Sequence, residues 1–483
     1  MRIIPINHPF NATVRVPGSK SLTNRALLIA SLANGKTRLT NALFSDDSLY
    51  FAKALQALGF DIQLDEANHE MTVTGLGGKI PANKAELFIG NAGTAARFLT
   101  AFLTLGNGEY IFDGDSRMRE RPIGDLVEAL TQLGANISPL SSRSIPEGDK
   151  RERAEGEGEV NSISPPIKIT ANGLLGGKTK IAGDISSQFL SALLMVAPYA
   201  KSPIEIEVTT EPNSKPYVDM TLAIMQDFGI NVQRKEYQSF SIPVTIYQLS
   251  RSIPAGPITN PQFSSPPILH SQSPVSSLQS PIPTYPIESD ASAASYFFAA
   301  PAICGGTVKV ENISRKSKQG DIAFLDVLTK MGCTVTETDN CLRVTGTTEL
   351  RGIDADMRDI PDTAQTLAVI APFASSPTRI RGISSARVKE TDRIHATCTE
   401  LARLGVQVEE HDDGMTIYPC QTFKRSNVQT YNDHRMAMSF SLIGLRFDGI
   451  TIENPSCVSK TFPNYFDVLD TLRVPSPTGR GLG

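Results

Sequence analysis

The sequence predicts an α/β protein of two similar domains, each made of three repeated strand–helix units, and three observations predict it. A short glycine-centred stop signal recurs five times, and six alanine- and leucine-rich helices each follow a small polar loop. The spacing of the stop signals is near 75 residues except at two places, where the composition changes abruptly. A repeat of this length is too long for a solenoid and suits an α/β supersecondary unit.

The stop signal is a large apolar residue, Gly, two variable residues, then Ile or Val. It occurs at Leu58-Gly59, Leu133-Gly134, Phe228-Gly229, Met331-Gly332 and Leu404-Gly405. Upstream, apolar residues fall at steps of three and four, as in Leu49, Ala52, Leu55, Leu58 or Phe324, Leu328, Met331, which marks one buried helix face. Gly then supplies a left-handed C-terminal cap, and a strand begins. The second signature is the loop–helix entry, which opens at Pro17 (PGSKSLTNRALL), Gly90 (GNAGTAARFL), Gly183 (GDISSQFLSALL), Ser289 (SDASAASYFF), Arg358 (RDIPDTAQTLAV) and Asn432 (NDHRMAMSFS). The unit reads strand, loop, buried helix, strand, amphipathic helix, strand, and six units divide into two domains of three.

The intervals between the glycines are 75, 95, 103 and 73 residues, so two insertions of roughly 20 and 30 residues are expected. Residues 143–159 carry ten charges in seventeen positions, and residues 250–285 hold eight prolines and nine serines. Neither segment can bury enough apolar surface to order itself, and both are read as surface loops.

Bulk properties narrow the function. The balance of 46 basic against 50 acidic residues, net −4, argues against a nucleic-acid binder. No apolar run is long enough to span a bilayer. The six cysteines form no CxxC pair and no zinc spacing, and the first residues, MRIIPINHPF, carry no secretory pattern. A cytoplasmic enzyme without metal or cofactor is expected. NGLLGGKT misses a phosphate-binding P-loop because Asn172 stands where the first Gly is required.

Helix N-termini favour anions, through unpaired N–H groups and the positive dipole end. Capping alone explains the polar residues of any single loop. The basic residues need another reason, because cations oppose the dipole. Lys20, Arg25, Arg97, Arg121, Arg435 and Lys460 lie in or beside these loops, and Lys389 and Arg393 are expected on one helix face in RVKETDR. A bound polyanion supplies that reason.

The loops PGSKSLTNRALL, GNAGTAAR, RMRERPI, DISSQF, SKPYVD, SDASAASYF, IPDTAQTLAV, RVKETDRI, YNDHRMAMSF and KTFPNYF resemble, in order, those of the 5-enolpyruvylshikimate-3-phosphate synthase family. The resemblance runs from about residue 14 to 472. It implies the inverse α/β barrel of the enolpyruvyl transferases, two domains of three βαβαββ repeats around a helix bundle. Residues 1–18 and 286–483 would form one domain and 19–249 the other, with the insertions 143–159 and 250–285 outside them. It implies a monomer acting on two small molecules, with no nucleic acid or membrane partner.

The implied ligands of shikimate 3-phosphate are Lys20, Ser21, Arg25, Ser186, Ser187, Gln188, Ser214, Tyr217, Asp362, Ser385 and Lys389. Those of phosphoenolpyruvate are Lys20, Asn91, Gly93, Thr94, Arg121, Gln188, Arg393, Arg435 and Lys460. Asp362 is the implied base on the attacking hydroxyl, and Glu390 the implied proton donor and acceptor at the methylene carbon. Lys20 shares the catalytic centre, and His434 supports Arg435. Two positions depart from the family pattern: Phe98 stands where Pro is usual, and Ser385-Ala386 where Asn-Trp is frequent. The related transferase acting on UDP-N-acetylglucosamine usually carries a Cys in the loop matching Asp115–Pro122, and here that loop has none. A non-catalytic anion sensor is disfavoured by the presence of both Asp362 and Glu390.

Overall fold

Six buried helices organise the molecule in two sets of three. The computed structural model describes residues 1–140, 163–244 and 282–473. The segment 143–159 and most of 250–285 lie outside the described residues. Helices Lys20–Leu32, Gly93–Leu103 and Ser187–Val196 pack against one another in one half. Helices Ala291–Cys304, Ala364–Ile370 and His434–Arg446 do so in the other. All six follow the predicted polar loops. They are apolar on nearly every face because sheets and helices surround them, so little polar surface is needed.

Around the helices, among the described residues, lie five four-stranded sheets and one two-stranded sheet. In the second unit, Lys84–Phe88 pairs in parallel with Asn107–Asp113, and the hairpin Asn136–Pro139 and Ile167–Asn172 adds antiparallel strands. The other four-stranded sheets repeat this order where the register is set by alternating buried positions. Five units are therefore βαβαββ among the described residues, one strand more than the periodicity predicted. The sixth has two strands, Ser426–Val428 and Ile450–Ile452, and ends in the helix Tyr465–Asp470. The glycines of the five stop signals, Gly59, Gly134, Gly229, Gly332 and Gly405, all take φ between 79° and 110°. An L side chain there would be strained, which is why the signal is glycine.

The two halves exchange their first strands. Phe10–Val14, at the N-terminus, pairs with Gly306–Glu311 in the sheet of the fourth unit. Thr284–Pro286 pairs with Arg38–Thr40 in the sheet of the first. This corrects the expectation for 250–285 as surface loop to its end: residues 284 and 285 are strand. Tyr285 and Ile287 are buried in the core that begins at Leu22, so the expected changeover at residue 286 comes a few residues too early. The mixture of Pro and Ser hid a three-residue strand whose one large side chain, Tyr285, also bonds Asp227. The other core gathers Ile3–Val16 with Ala291–Leu472. The two crossings run side by side: Ser19 N–H donates to the Glu288 carbonyl (2.8 Å) and Asp290 N–H to that of Pro17 (2.9 Å). No described helix is long and apolar enough to cross a membrane.

Candidate active site

The N-termini of the six buried helices converge where the halves meet. Lys20, Gly93 with Thr94, Gln188, Asp362 and Arg435, at or within one turn of the starts of five of these helices, line one cavity, and the sixth, Ala291–Cys304, joins through Asp290. Asp290 caps its own helix at Ala293 and accepts from the Lys20 N–H (3.0 Å), which pins the crossing to the site. Arg121, Lys389, Glu390, Arg393 and Asp47 complete the lining. Five cations thus face three carboxylates. The space between them is small, about 30 Å³ for a water-sized sphere, so the halves must part to admit a ligand.

The half built from residues 354–473 holds its charges in pairs. Arg393 donates to Asp362 (3.0 Å), Glu390 (2.8 Å) and Asp433 (2.8 Å). Arg435 donates to Asp362 (2.7 Å), and Lys460 lies 3.1 Å from Glu390. Burial opposes charge on Asp362, but Arg435, Arg393, Lys389 and Lys20 outweigh it and hold the carboxyl well below its ordinary range. Glu390 is likewise opposed by burial, and Lys460, Arg393 and Arg121 hold it well below. Burial lowers Lys389 to about 8, against the attraction of Asp362.

RVKETDR does not form one helix. A 3-10 turn, Ser384–Val388, comes first, and Asp392 then caps a new helix, Arg393–Arg403. The expected shared helix face of Lys389 and Arg393 is corrected: the chain bends between them, because an Asp that can cap a helix start favours beginning a new one. Both side chains still reach the cavity.

In the half built from residues 19–244, Arg25, Arg97 and Arg121 rest against neutral partners, while Lys20 lies 3.5 Å from Asp47. Arg25 is buried, donating to the hydroxyls of Thr221 (2.7 Å) and Ser191 (3.2 Å) with its guanidinium over the rings of Phe98 and Tyr217. Burial lowers it to about 10. Phe98, at the position where the family usually has Pro, thus packs beneath this cation. Arg97 donates to the carbonyls of Gly93 and Pro122, and Arg121 to the side chain of Asn91 (3.0 Å). A Cβ on Gly93 would meet the Arg121 guanidinium at 2.4 Å, so a side chain there would push the guanidinium from its place. Lys460 crosses from the other half to the Asn91 carbonyl (2.6 Å).

The remaining expected residues sit around this centre. Ser186 caps the helix that Ser187 opens, accepting from the Gln188 N–H, and Gln188 donates to Thr94 (3.3 Å). The Ser21 carbonyl accepts from Arg25. Tyr217 points its hydroxyl at Asp321 (3.1 Å) and Asp362 (3.4 Å). Ser214 caps the Tyr217 helix with a left-handed φ of 58°, strain of the kind stored at functional positions. Ser385, in its 3-10 turn, has no hydrogen bond to the cluster among the described residues. His434 makes no bond to Arg435. Both its ring nitrogens are buried without a hydrogen-bond partner, Nδ1 lying 3.6 Å from Asp433, and burial with the Arg435 charge keeps it neutral. The expected support of Arg435 comes instead from Asp362 and from the Asp433 cap on its backbone (2.8 Å).

Three acids were missed in the sequence. Asp47 lies between Lys20 (3.5 Å) and Lys460 (3.8 Å), one from each half. Asp433 pairs with Arg393, and Asp321 faces Tyr217. Asp47 and Asp433 stand at helix starts, where an acid is expected for capping, so their charge carried no separate signal.

Buried cations and carboxylates at six converging helix N-termini define a site for small polyanions with acid–base chemistry at its centre. The profile of EPSP synthase (3-phosphoshikimate 1-carboxyvinyltransferase) matches residues 4–245 and 272–469. Similar proteins include the 3-phosphoshikimate 1-carboxyvinyltransferases of Trichormus variabilis (45% identical, covering 95% of this chain and 96% of the relative) and Sulfurovum sp. (46%, with 95% and 96%). An EPSP synthase structure from Acinetobacter baumannii superposes with a TM-score of 0.73 at 24% identity, covering 98% of each chain. The enolpyruvyl transferase NikO from Streptomyces tendae superposes with 0.70 at 16% identity, covering 97% and 96%. At those identities the two structures speak to the fold alone. The chain belongs to the EPSP synthase family.

Proposed function

We infer that the protein transfers the enolpyruvyl group of phosphoenolpyruvate to the 5-hydroxyl of shikimate 3-phosphate, releasing phosphate, in the pathway to chorismate and aromatic amino acids. The observation that carries this reading is a cavity lined from both halves, where five cations face three carboxylates and Asp362 and Glu390 are held between cations. The substrates bring two phosphates and two carboxylates, which match the excess of positive charge.

In this reading Lys20, Ser21, Arg25, Ser186, Ser187, Gln188, Ser214, Tyr217, Asp362, Ser385 and Lys389 bind shikimate 3-phosphate. Lys20, Asn91, Gly93, Thr94, Arg121, Gln188, Arg393, Arg435 and Lys460 bind phosphoenolpyruvate. Without substrate, Asp362 and Glu390 are too strongly stabilised as anions to be good bases. Substrate anions compete for Arg393, Arg435 and Lys460, which loosens that grip and raises both carboxyls towards useful basicity. The hydroxyl oxygen attacks C2 of phosphoenolpyruvate while its proton passes to Asp362. Glu390, protonated in this state, gives its proton to the methylene carbon. The C2–O bond to phosphate then breaks, phosphate leaves with the proton that Asp362 had taken, and a methyl proton returns to Glu390. Lys20 stabilises charge at the centre.

We place the enzyme in the cytoplasm as a monomer. Six free thiols support the compartment. The scatter of the exposed large apolar residues among the described residues, such as Phe88, Leu175 and Val388, supports the oligomeric state. Mixing the protein with both substrates and following phosphate release tests the function. Turnover on UDP-N-acetylglucosamine and none on shikimate 3-phosphate would overturn it.

A further inference from the structure

Asp321 is a buried carboxylate to which the mechanism gives no part. It is the second residue of the 3-10 turn Gly320–Ala323 in one half and meets Tyr217, from helix Lys215–Asp227, in the other. The contact is tight: a Cβ on the neighbouring Gly320 would fall 2.2 Å from the Pro216 side chain. The Tyr217 hydroxyl lies 3.1 Å from Asp321 Oδ2 and 3.4 Å from Asp362 Oδ2. It has one proton and two carboxylates to satisfy, so only one can accept from it at a time. Ser292 donates to the same Asp321 oxygen. Asp321 Oδ1 is buried and has no partner, an arrangement far costlier for a carboxylate than for a neutral carboxyl.

We propose that Asp321 is a positioning residue that binds and releases a proton and thereby decides which carboxylate the Tyr217 hydroxyl serves. When Asp321 carries the proton, it donates to the Tyr217 oxygen, and Tyr217 donates to Asp362. When Asp321 is ionised, Tyr217 turns to it, and Asp362 loses a donor and gains a negative neighbour. Both changes make Asp362 the stronger base. The proton is taken from and returned to solvent, and only O–H bonds form or break. Burial and the Asp362 charge push the Asp321 carboxyl up to about 7, so the exchange falls in the working range. The groups facing it are Asp362, Arg435, Asp290, Tyr217 and Ser292; Arg435 and the Ser292 hydroxyl favour its charge, and the two acids oppose it.

The inference rests on the base role given to Asp362, and the tests separate the two. In the pH profile of kcat with both substrates, the protein should show a limb rising through about pH 7. Asp321→Asn, locked in the neutral arrangement, should lose that limb, being about 5-fold slower at about pH 8.5 with each KM within about 3-fold. Superimposable profiles overturn the proposal. Ser292→Ala removes a hydrogen bond that lowers the Asp321 pKa, so the limb should move to higher pH; an unmoved limb overturns the proposal even where Asp321→Asn fails to fold. Infrared difference spectra of the free protein between about pH 5.5 and about pH 8.5 need no turnover. They should show a protonated carboxyl that Asp321→Asn abolishes, and its absence from the unaltered protein overturns the proposal. A protein inactive on both substrates that keeps this band would sink the functional reading alone.

Discussion

The two halves face each other across one cavity with similar helices but opposite electrostatic habits. Residues 354–473 bind their cations to carboxylates: Arg393 touches three, and Arg435 and Lys460 each reach at least one. Arg25, Arg97 and Arg121 in the other half touch hydroxyls, carbonyls, a sulfur, an amide and ring faces, and no carboxylate among the described residues. A buried cation without a counter-charge is costly, and burial with repulsion from Arg121 pulls Arg97 well below its ordinary value. The difference teaches a division of labour. One half keeps three arginines unspent for an arriving anion, with only Lys20 of its site cations beside an acid, Asp47, and the other keeps acids and bases in balance until that anion disturbs them.

The largest effect should come from breaking the balanced half at its centre. Asp362→Asn keeps the shape and removes the charge, and should lower kcat by about 10³-fold. Calorimetry should still find shikimate 3-phosphate bound within about 10-fold of the original affinity, because the unspent cations are untouched. A variant that lost binding and turnover in proportion would dissolve the division.

Stability offers the sharpest contrast. Arg393→Ala leaves Asp362, Glu390 and Asp433 buried without their shared partner and should cost about 3–5 kcal/mol in denaturant unfolding. Arg121→Ala removes a buried cation that among the described residues bonds only Asn91, and the free protein should be no less stable for it. Its loss should appear instead as a rise of about 10–100-fold in KM for phosphoenolpyruvate, the worth of a hydrogen bond to a charged group. Equal destabilisation by both substitutions would show the halves to be electrostatically alike.

Much of this arrangement was legible in the chain before the fold was known. The five glycine caps and six helix entries are local signals, each set by a backbone or burial requirement that the residue type reveals. The cations were legible because they stand where a helix dipole disfavours them. Asp47 and Asp433 were hidden for the converse reason, and Asp321 because its role depends on Tyr217, 104 positions away. The strand Thr284–Pro286 was hidden by its surroundings in a proline- and serine-rich run and by its dependence on a partner some 245 residues earlier. Pairing of charges is a property of the assembled halves. No spacing along the chain reports that Arg393 has three acids and Arg121 none.

Lys389 tests the contrast most gently, since it lies in the balanced half yet has no carboxylate within ion-pair distance among the described residues. Burial holds it at about 8, below the ordinary lysine value, so the folded protein takes up this proton less readily than the unfolded chain. The sign follows: protonating Lys389 costs stability below about pH 8, and that cost fades as pH rises from there towards the unfolded value. Ligand binding runs the other way, because an anion needs the charged form. Affinity for shikimate 3-phosphate should therefore fall as pH rises through about 8, by up to about tenfold per pH unit. Lys389→Arg, charged throughout, should flatten that dependence while Arg121→Lys leaves it in place. A slope that survives Lys389→Arg would assign the titration to another group.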